Sequence, residues 1–255
     1  MMWWEALLLF FGGGLAGVIN AMAGGGSILT VPLLVLAGVP GNSANGSNRV
    51  GILTSNAASA ATFRKLGIDG LGQAGPVLVP AVIGSLVGSL AISSLTDETF
   101  ETVFGLLMIP LIILSIFKPK PRPVVSAARS ADDDINTWSR PFTTVVFFGV
   151  GIYGGAIQAG VGLVMLAALT RAGYDLVLAN SIKVLVSLVI TMVALPVFLI
   201  QGKVDWVPAL ILAAGLTIGG WLGVRVAVKG GEKVIRVVMV IAALALAAEL
   251  LGVFG

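Results

Sequence analysis

Apolar residues run along this chain in long blocks separated by short polar stretches. The blocks cover residues 4–23, 27–37, 44–63, 71–95 and 100–117, and then 142–159, 163–169, 176–200, 206–228 and 234–251. Most are close to the ~20 residues that a helix needs to cross a hydrocarbon layer of ~30 Å. Two are too short. As a helix, 27–37 reaches only ~16 Å, and 163–169 reaches less. Each follows a glycine-rich break, Gly24–Gly25–Gly26 and Gly160–Val161–Gly162. Residues 118–140 form the one long polar stretch, with Lys118, Lys120, Arg122, Arg129 and Asp132–Asp133–Asp134 among prolines. They read as a solvated connector. The pattern predicts an all-α membrane protein of two repeats, 1–117 and 141–255, with about five helical segments in each.

The halves match at a displacement of about 135 residues. Gly38 falls on Gly173, Gly67 on Gly202, Gly84 on Gly219, Gly88 on Gly223 and Asp97 on Glu232. Ala44–Asn45 falls on Ala179–Asn180. Such ordered spacing indicates duplication. Loop charge then gives direction. In the first half Arg64 and Lys65 follow the third segment, and only Asp97 and Glu98 follow the fourth. In the second half the corresponding loop near Lys203 and Asp205 is balanced, while Arg225, Lys229, Lys233 and Arg236 crowd the next. Because Lys- and Arg-rich loops stay cytoplasmic, equivalent loops lie on opposite sides. The expected repeats are therefore inverted, with the connector inside and both termini outside. A parallel arrangement of four spans per half would strand the Arg225–Arg236 cluster outside. The first block lacks a basic leader and a cleavage site, and is expected to be a retained helix.

Composition agrees with the membrane reading. Charged residues are 11% of the chain and mean hydropathy is +1.05, whereas soluble domains carry roughly 25% charge. The chain has no cysteine and no histidine. Thiolate chemistry, the commonest metal ligand and the commonest general base are therefore excluded. No metal or cofactor is expected. A net charge of +3, spread over short loops, reports topology and gives no nucleic-acid signal.

Two constellations carry the expected chemistry. The first is the pair of broken helices. Glycines let the chain leave the helix, and the helix that restarts presents unpaired N–H groups suited to an anion. This singles out Gly25, Gly26 and Ser27 in one half and Gln158, Gly160 and Gly162 in the other. Non-helical backbone is tolerated at membrane depth only inside protein or along a watery cavity. Close packing through small residues is the competing explanation. The second constellation is Asn45, Asn48 and Arg49 with Asn180 and Lys183. Here amides and cations sit inside membrane helices, about five residues from the nearest end, where charge is costly unless it is paired or hydrated. No intramembrane carboxylate is at hand, so the expected partner of the two cations is an anionic substrate; snorkelling is the bland alternative. Asn20, Ser55 and Asn56 fit cross-helix hydrogen bonding as well as a substrate contact. The tryptophans at segment ends, Trp3, Trp4, Trp138 and Trp206, fit interfacial anchoring.

The run GLAGVINAMAGGGSILTVPLLVLAGVP, followed by A-N-x-x-N-R and then F-R-K-L-G-I-D, resembles the first half of the sulfite exporter TauE/SafE family. GGAIQAGVGLVM and ANSIKVL resemble its degenerate second half. The resemblance covers nearly the whole chain. It implies a bacterial inner-membrane permease for a small oxyanion such as sulfite, sulfoacetate or a related sulfonate. Alternating access around a midplane site is the expected mechanism, with a passive anion channel as the alternative. An intramembrane enzyme would need a nucleophile–base pair or a metal set that this sequence does not supply. Besides substrate and lipid bilayer, a second copy is a candidate partner: the faces Gly84-x-x-x-Gly88 and Gly219-x-x-x-Gly223 fit packing within one chain or between two.

Overall fold

A computed structural model describes residues 1–116 and 139–250, with side chains described for 1–106 and 139–230. The connector at 118–138, including Trp138 and the aspartate run, lies outside the described residues. So do the side chains of Lys233, Arg236 and Glu249. The described chain is helical throughout, without strands: α1 (Trp3–Ala23), α2 (Ser27–Leu36), α3 (Gly41–Lys65), α4 (Leu71–Ser93), α5 (Asp97–Ile116), α6 (Arg140–Ala156), α7 (Val161–Arg171), α8 (Leu176–Ile200) and α9 (Trp206–Leu250).

Backbone turns fall where glycine permits them. Gly38, Gly67, Gly173 and Gly202 end α2, α3, α7 and α8 in the left-handed region, with φ of 81°, 77°, 105° and 66°. Only glycine adopts this conformation without cost. The four are the two pairs that the displacement of 135 residues aligned. Gly24 (φ 82°) and Gly160 (φ 71°) mark the two interior breaks. The undersized segments become α2, of 10 residues, and α7, of 11.

Two expectations change. Residues 206–228 and 234–251 form one continuous helix of 45 residues, ~67 Å long at 1.5 Å per residue. Gly230–Gly231 cost a helix only ~1 kcal/mol each, and the run's one proline, Pro208, stands in the first turn, where it is tolerated. Also, α3 is long enough to cross a bilayer but is not among the four helices that, among the described residues, are both long and apolar enough. Those four are α1, α4, α8 and the Trp206–Gly230 part of α9. The polarity of α3 points inward: Asn42, Asn45, Ser47, Asn48, Arg49, Ser55, Asn56, Ser59 and Thr62 are all buried. Trp3, Trp4 and Trp206 are exposed at the starts of α1 and α9, as interfacial anchors are.

Packing runs across the halves. Side chains added at Gly17 or Gly219 would collide with the backbone of α9 or α1, and at Gly84, Gly88, Gly151 or Gly155 with that of α6 or α4. In both pairs residue numbers rise together: Gly13 meets Leu212 and Gly17 meets Gly220, while Gly84 meets Phe148 and Gly88 meets Ile152. Thus α1 lies parallel to α9 and α4 parallel to α6, each first helix of a half on the fourth helix of the other. The GxxxG faces are used within one chain. Helices α3 and α8 instead run antiparallel. Gly46 and Arg49, near the start of α3, meet Phe198 near the end of α8, and Phe63 clusters with Val184 at the other end.

A Gly88→Ala substitution forces a methyl group into the Ile152 carbonyl and is expected to cost about 1–3 kcal/mol. Gly75→Ala, on the same helix with open space around it, leaves stability unchanged. Thermal midpoints of the two purified variants in detergent check this; equal midpoints would refute the close α4–α6 contact.

Candidate functional site

Where a helix stops inside the membrane, its last carbonyls lose their partners. The end of α1 is held from the other half of the chain. Asn180 Nδ2 donates to the Ala21 carbonyl at 2.7 Å and Lys183 Nζ to the Asn20 carbonyl at 2.6 Å. The end of α6 is held in the same way by α3. Asn45 Nδ2 donates to the Ala156 carbonyl at 2.8 Å. Arg49 Nη2 donates to the Gly155 and Ala156 carbonyls at 2.6 and 2.9 Å, and Nη1 to Gly154 O and Gln158 Oε1 at 3.1 and 3.3 Å. Donor and acceptor recur together 135 positions apart: Asn45 with Asn180, Ala21 with Ala156, Asn20 with Gly155. The two cations, expected to await an anion, thus have partners in helix-end carbonyls.

Their remaining capacity differs. Four of the five guanidinium N–H groups of Arg49 are engaged, leaving Nε without an acceptor among the described residues. The guanidinium also lies 4.4 Å from the centre of the Phe198 ring, a favourable cation–π distance. Lys183 Nζ carries three N–H groups, of which one is engaged.

The breaks themselves touch. A side chain at Gly24 would collide with the backbone of Gly162, and one at Gly162 with Gly24. A Cβ at Gly26 would collide with the Ala16 carbonyl and lie 2.7 Å from Asn20 Cβ. Bare backbone is therefore required at these positions. Beyond the breaks, α2 and α7 restart. Among the described residues no acceptor meets the N–H groups of Gly25, Gly26 and Ser27, or those of Gly160 and Gly162. Gln158 is the one non-glycine residue with positive φ among those described (65°). That conformation turns its side chain back to Arg49.

The structure therefore brings the expected residues into two linked groups: Asn45, Arg49, Gln158 and the end of α6, and Asn180, Lys183 and the end of α1. Asn48 stands slightly apart, its Oδ1 accepting from Thr30 Oγ1 of α2 at 2.6 Å. All are closed off from solvent: Arg49 is 0% exposed, Lys183 1% and Ser27 2%.

Several residues of the site were not anticipated. Thr30 and Phe198 carry no sequence signal. Asn42 does, because Asn42, Asn45 and Asn48 recur at every third position of a helix. It caps α4, donating Nδ2 to the carbonyls of Ile92 and Leu95 at 3.1 and 2.9 Å. Ser55 and Asn56, for which cross-helix bonding and a substrate contact fitted equally well, are not tied across helices among the described residues. With Ser59 they bury four polar side-chain atoms without partners among the described residues.

Comparison with known proteins adds the family. The model of a family described as sulfite exporter TauE/SafE matches residues 9–250. A probable membrane transporter protein, ORF9, of Sinorhizobium sp is 27% identical, over 96% of this chain and 91% of its own. The probable membrane transporter protein YfcA of Escherichia coli K12 is 26% identical, over 96% and 88%. A probable membrane transporter protein of Haemophilus influenzae is 25% identical, over 95% and 93%.

Removing a cap leaves buried carbonyls unpaired. Asn180→Ala is expected to lower stability by about 1–3 kcal/mol, Asn45→Ala by less, about 1 kcal/mol, because Arg49 Nη2 still meets the Ala156 carbonyl, and Arg49→Ala by more than either. Arg49→Lys does not restore it, because an ammonium cannot fork across three carbonyls. Unfolding midpoints and the monodisperse fraction on gel filtration check the order; wild-type stability in Arg49→Ala would show that other donors serve the end of α6.

Proposed function

The chain belongs to the sulfite exporter TauE/SafE family of membrane transporters, and on that premise we propose that it is a secondary transporter of a small oxyanion, a sulfonate or sulfite-like anion such as sulfoacetate. One observation carries the proposal: two helices restart deep in the protein with their first N–H groups unpaired, at breaks whose backbones touch, beside two membrane-buried cations. A sulfonate offers three acceptor oxygens in a compact, singly charged group. Five N–H groups from Gly25, Gly26, Ser27, Gly160 and Gly162, with two from Lys183 and Nε of Arg49, match that acceptor set. Ser27 adds a hydroxyl donor. Asn45, Asn180 and Gln158 fix the helix ends from which these groups are offered, and Asn48 ties α2 to α3 through Thr30.

In this reading the protein is built from inverted repeats, with the N-terminus outside and residues 118–140 inside, in a bacterial inner membrane; the expected outer C-terminus is at odds with the unbroken α9. The antiparallel run of α3 and α8, equivalent helices of the two halves, supports the inversion. The burial of the whole site corresponds to an occluded state. Transport then requires the reciprocally held helix ends to open toward one side and afterwards the other, the alternating access common to transporters with broken helices. Among the described residues no carboxylate belongs to the site, which argues against an Asp/Glu proton relay.

The test has two arms. Purified protein is screened for thermal stabilisation by sulfite, sulfoacetate, taurine, sulfate and short carboxylates. An oxyanion is expected to raise the midpoint of the wild type, and to raise that of Lys183→Gln and Ser27→Ala less. In proteoliposomes the same anion is expected to show saturable uptake accelerated by anion loaded inside. Conductive, unsaturated flux would identify a passive channel. Absence of stabilisation and flux with every anion would overturn the proposal.

A further inference from the structure

A second cationic feature lies on the exposed faces of α3 and α9, outside the buried site. Between the end of α3 and the middle of α9 is a cleft of about 270 Å³ lined by Thr62, Lys65, Leu66, Trp221 and Arg225, and by Ala58 and Ala61 earlier on α3. The Arg225 guanidinium sits 3.8 Å from the centre of the Trp221 ring, which fixes its position and leaves its edge free to donate. No carboxylate lines the cleft, and among the described residues neither Lys65 nor Arg225 has an acidic partner; the one ion pair found is Lys203 with Asp97. Arg64 precedes Lys65, and Lys229 follows Arg225 by one turn. Both walls belong to the same membrane boundary, because α3 and α9 run side by side with Ser55 and Ser59 against Gly220. This is the Lys- and Arg-rich end, which the positive-inside rule puts at the cytoplasmic face.

We propose that this cleft holds the phosphate of an anionic phospholipid of the inner leaflet. Two cations without an acidic partner among the described residues, at a membrane boundary, are positioned for a phosphodiester. An amphipathic tryptophan, 39% exposed, stands where the glycerol lies. Ala58 and Ala61, one to two turns before Lys65 on α3, carry the apolar lining toward the hydrocarbon layer, where acyl chains belong. Free phosphate shares the charge but has no apolar part to meet the alanines, and the volume suits a headgroup whose chains remain in the bilayer. Because Lys65 comes from the first half and Arg225 from the second, a bound lipid ties α3 to α9 at their cytoplasmic ends.

Thermal midpoints of the full chain in phosphatidylcholine nanodiscs, with and without phosphatidylglycerol, test the site. Phosphatidylglycerol is expected to raise the wild-type midpoint by about 3 °C and to lose this effect in the Lys65→Gln, Arg225→Gln double variant. The charge-retaining pair Lys65→Arg, Arg225→Lys keeps the shift, as does Lys203→Gln, which removes a cation elsewhere. Inorganic phosphate added to phosphatidylcholine discs has no effect. Native mass spectrometry of delipidated wild-type protein, titrated with each lipid, is expected to show preferential retention of phosphatidylglycerol, and serves alone if the double variant does not fold. No preference for phosphatidylglycerol, an unchanged shift in the double variant, or the same shift with phosphate alone would each overturn the proposal.

Discussion

A helix that ends inside a bilayer leaves carbonyls that water cannot reach, and an unpaired polar group there costs several kcal/mol. Much of the interior of this protein is arranged around that cost. The ends of α1 and α6 are each met by an asparagine and a cation from the third helical element of the opposite half. The same helix α3 caps α4 through Asn42. This explains why α3 tolerates so many polar residues. They face helix ends and one another rather than lipid.

The reciprocal caps require the halves to interpenetrate. Neither half can satisfy its own broken helix, and the glycine contacts of α1 on α9 and α4 on α6 bind the halves along most of the membrane depth. Backbones come close enough for dispersion to hold them, in a medium where apolar burial alone gives little reason to associate. The broken helices are thus clamped at their finishing ends by side chains, while their restarting ends keep N–H groups to offer. Polarity follows from the peptide dipole: carbonyl ends attract Arg49 and Lys183, and amide ends suit an anion.

Much of this was legible in the chain. Block lengths gave the helices, the glycine runs gave both breaks, and the left-handed turns fall on the glycines that the repeat aligned. The residues of the candidate site were visible as polar groups where hydrocarbon was expected. Their partners were not. Arg49 meets carbonyls of residues 154–156 and Lys183 that of Asn20, and backbone carbonyls carry no sequence label. Loop spacing also suggested a boundary between 228 and 234 that α9 ignores, since two glycines weaken a helix without stopping it.

Sequence by itself therefore determined that the chain lives in a membrane, where its helices break, and which polar side chains the bilayer must accommodate. These follow from hydropathy, covalent geometry and the cost of buried charge, all local properties. Only the tertiary structure decided what those side chains do. Whether a buried cation waits for a ligand or holds a helix end depends on which orphaned acceptor lies within ~3 Å, and that is set by helices more than 100 residues away in the chain.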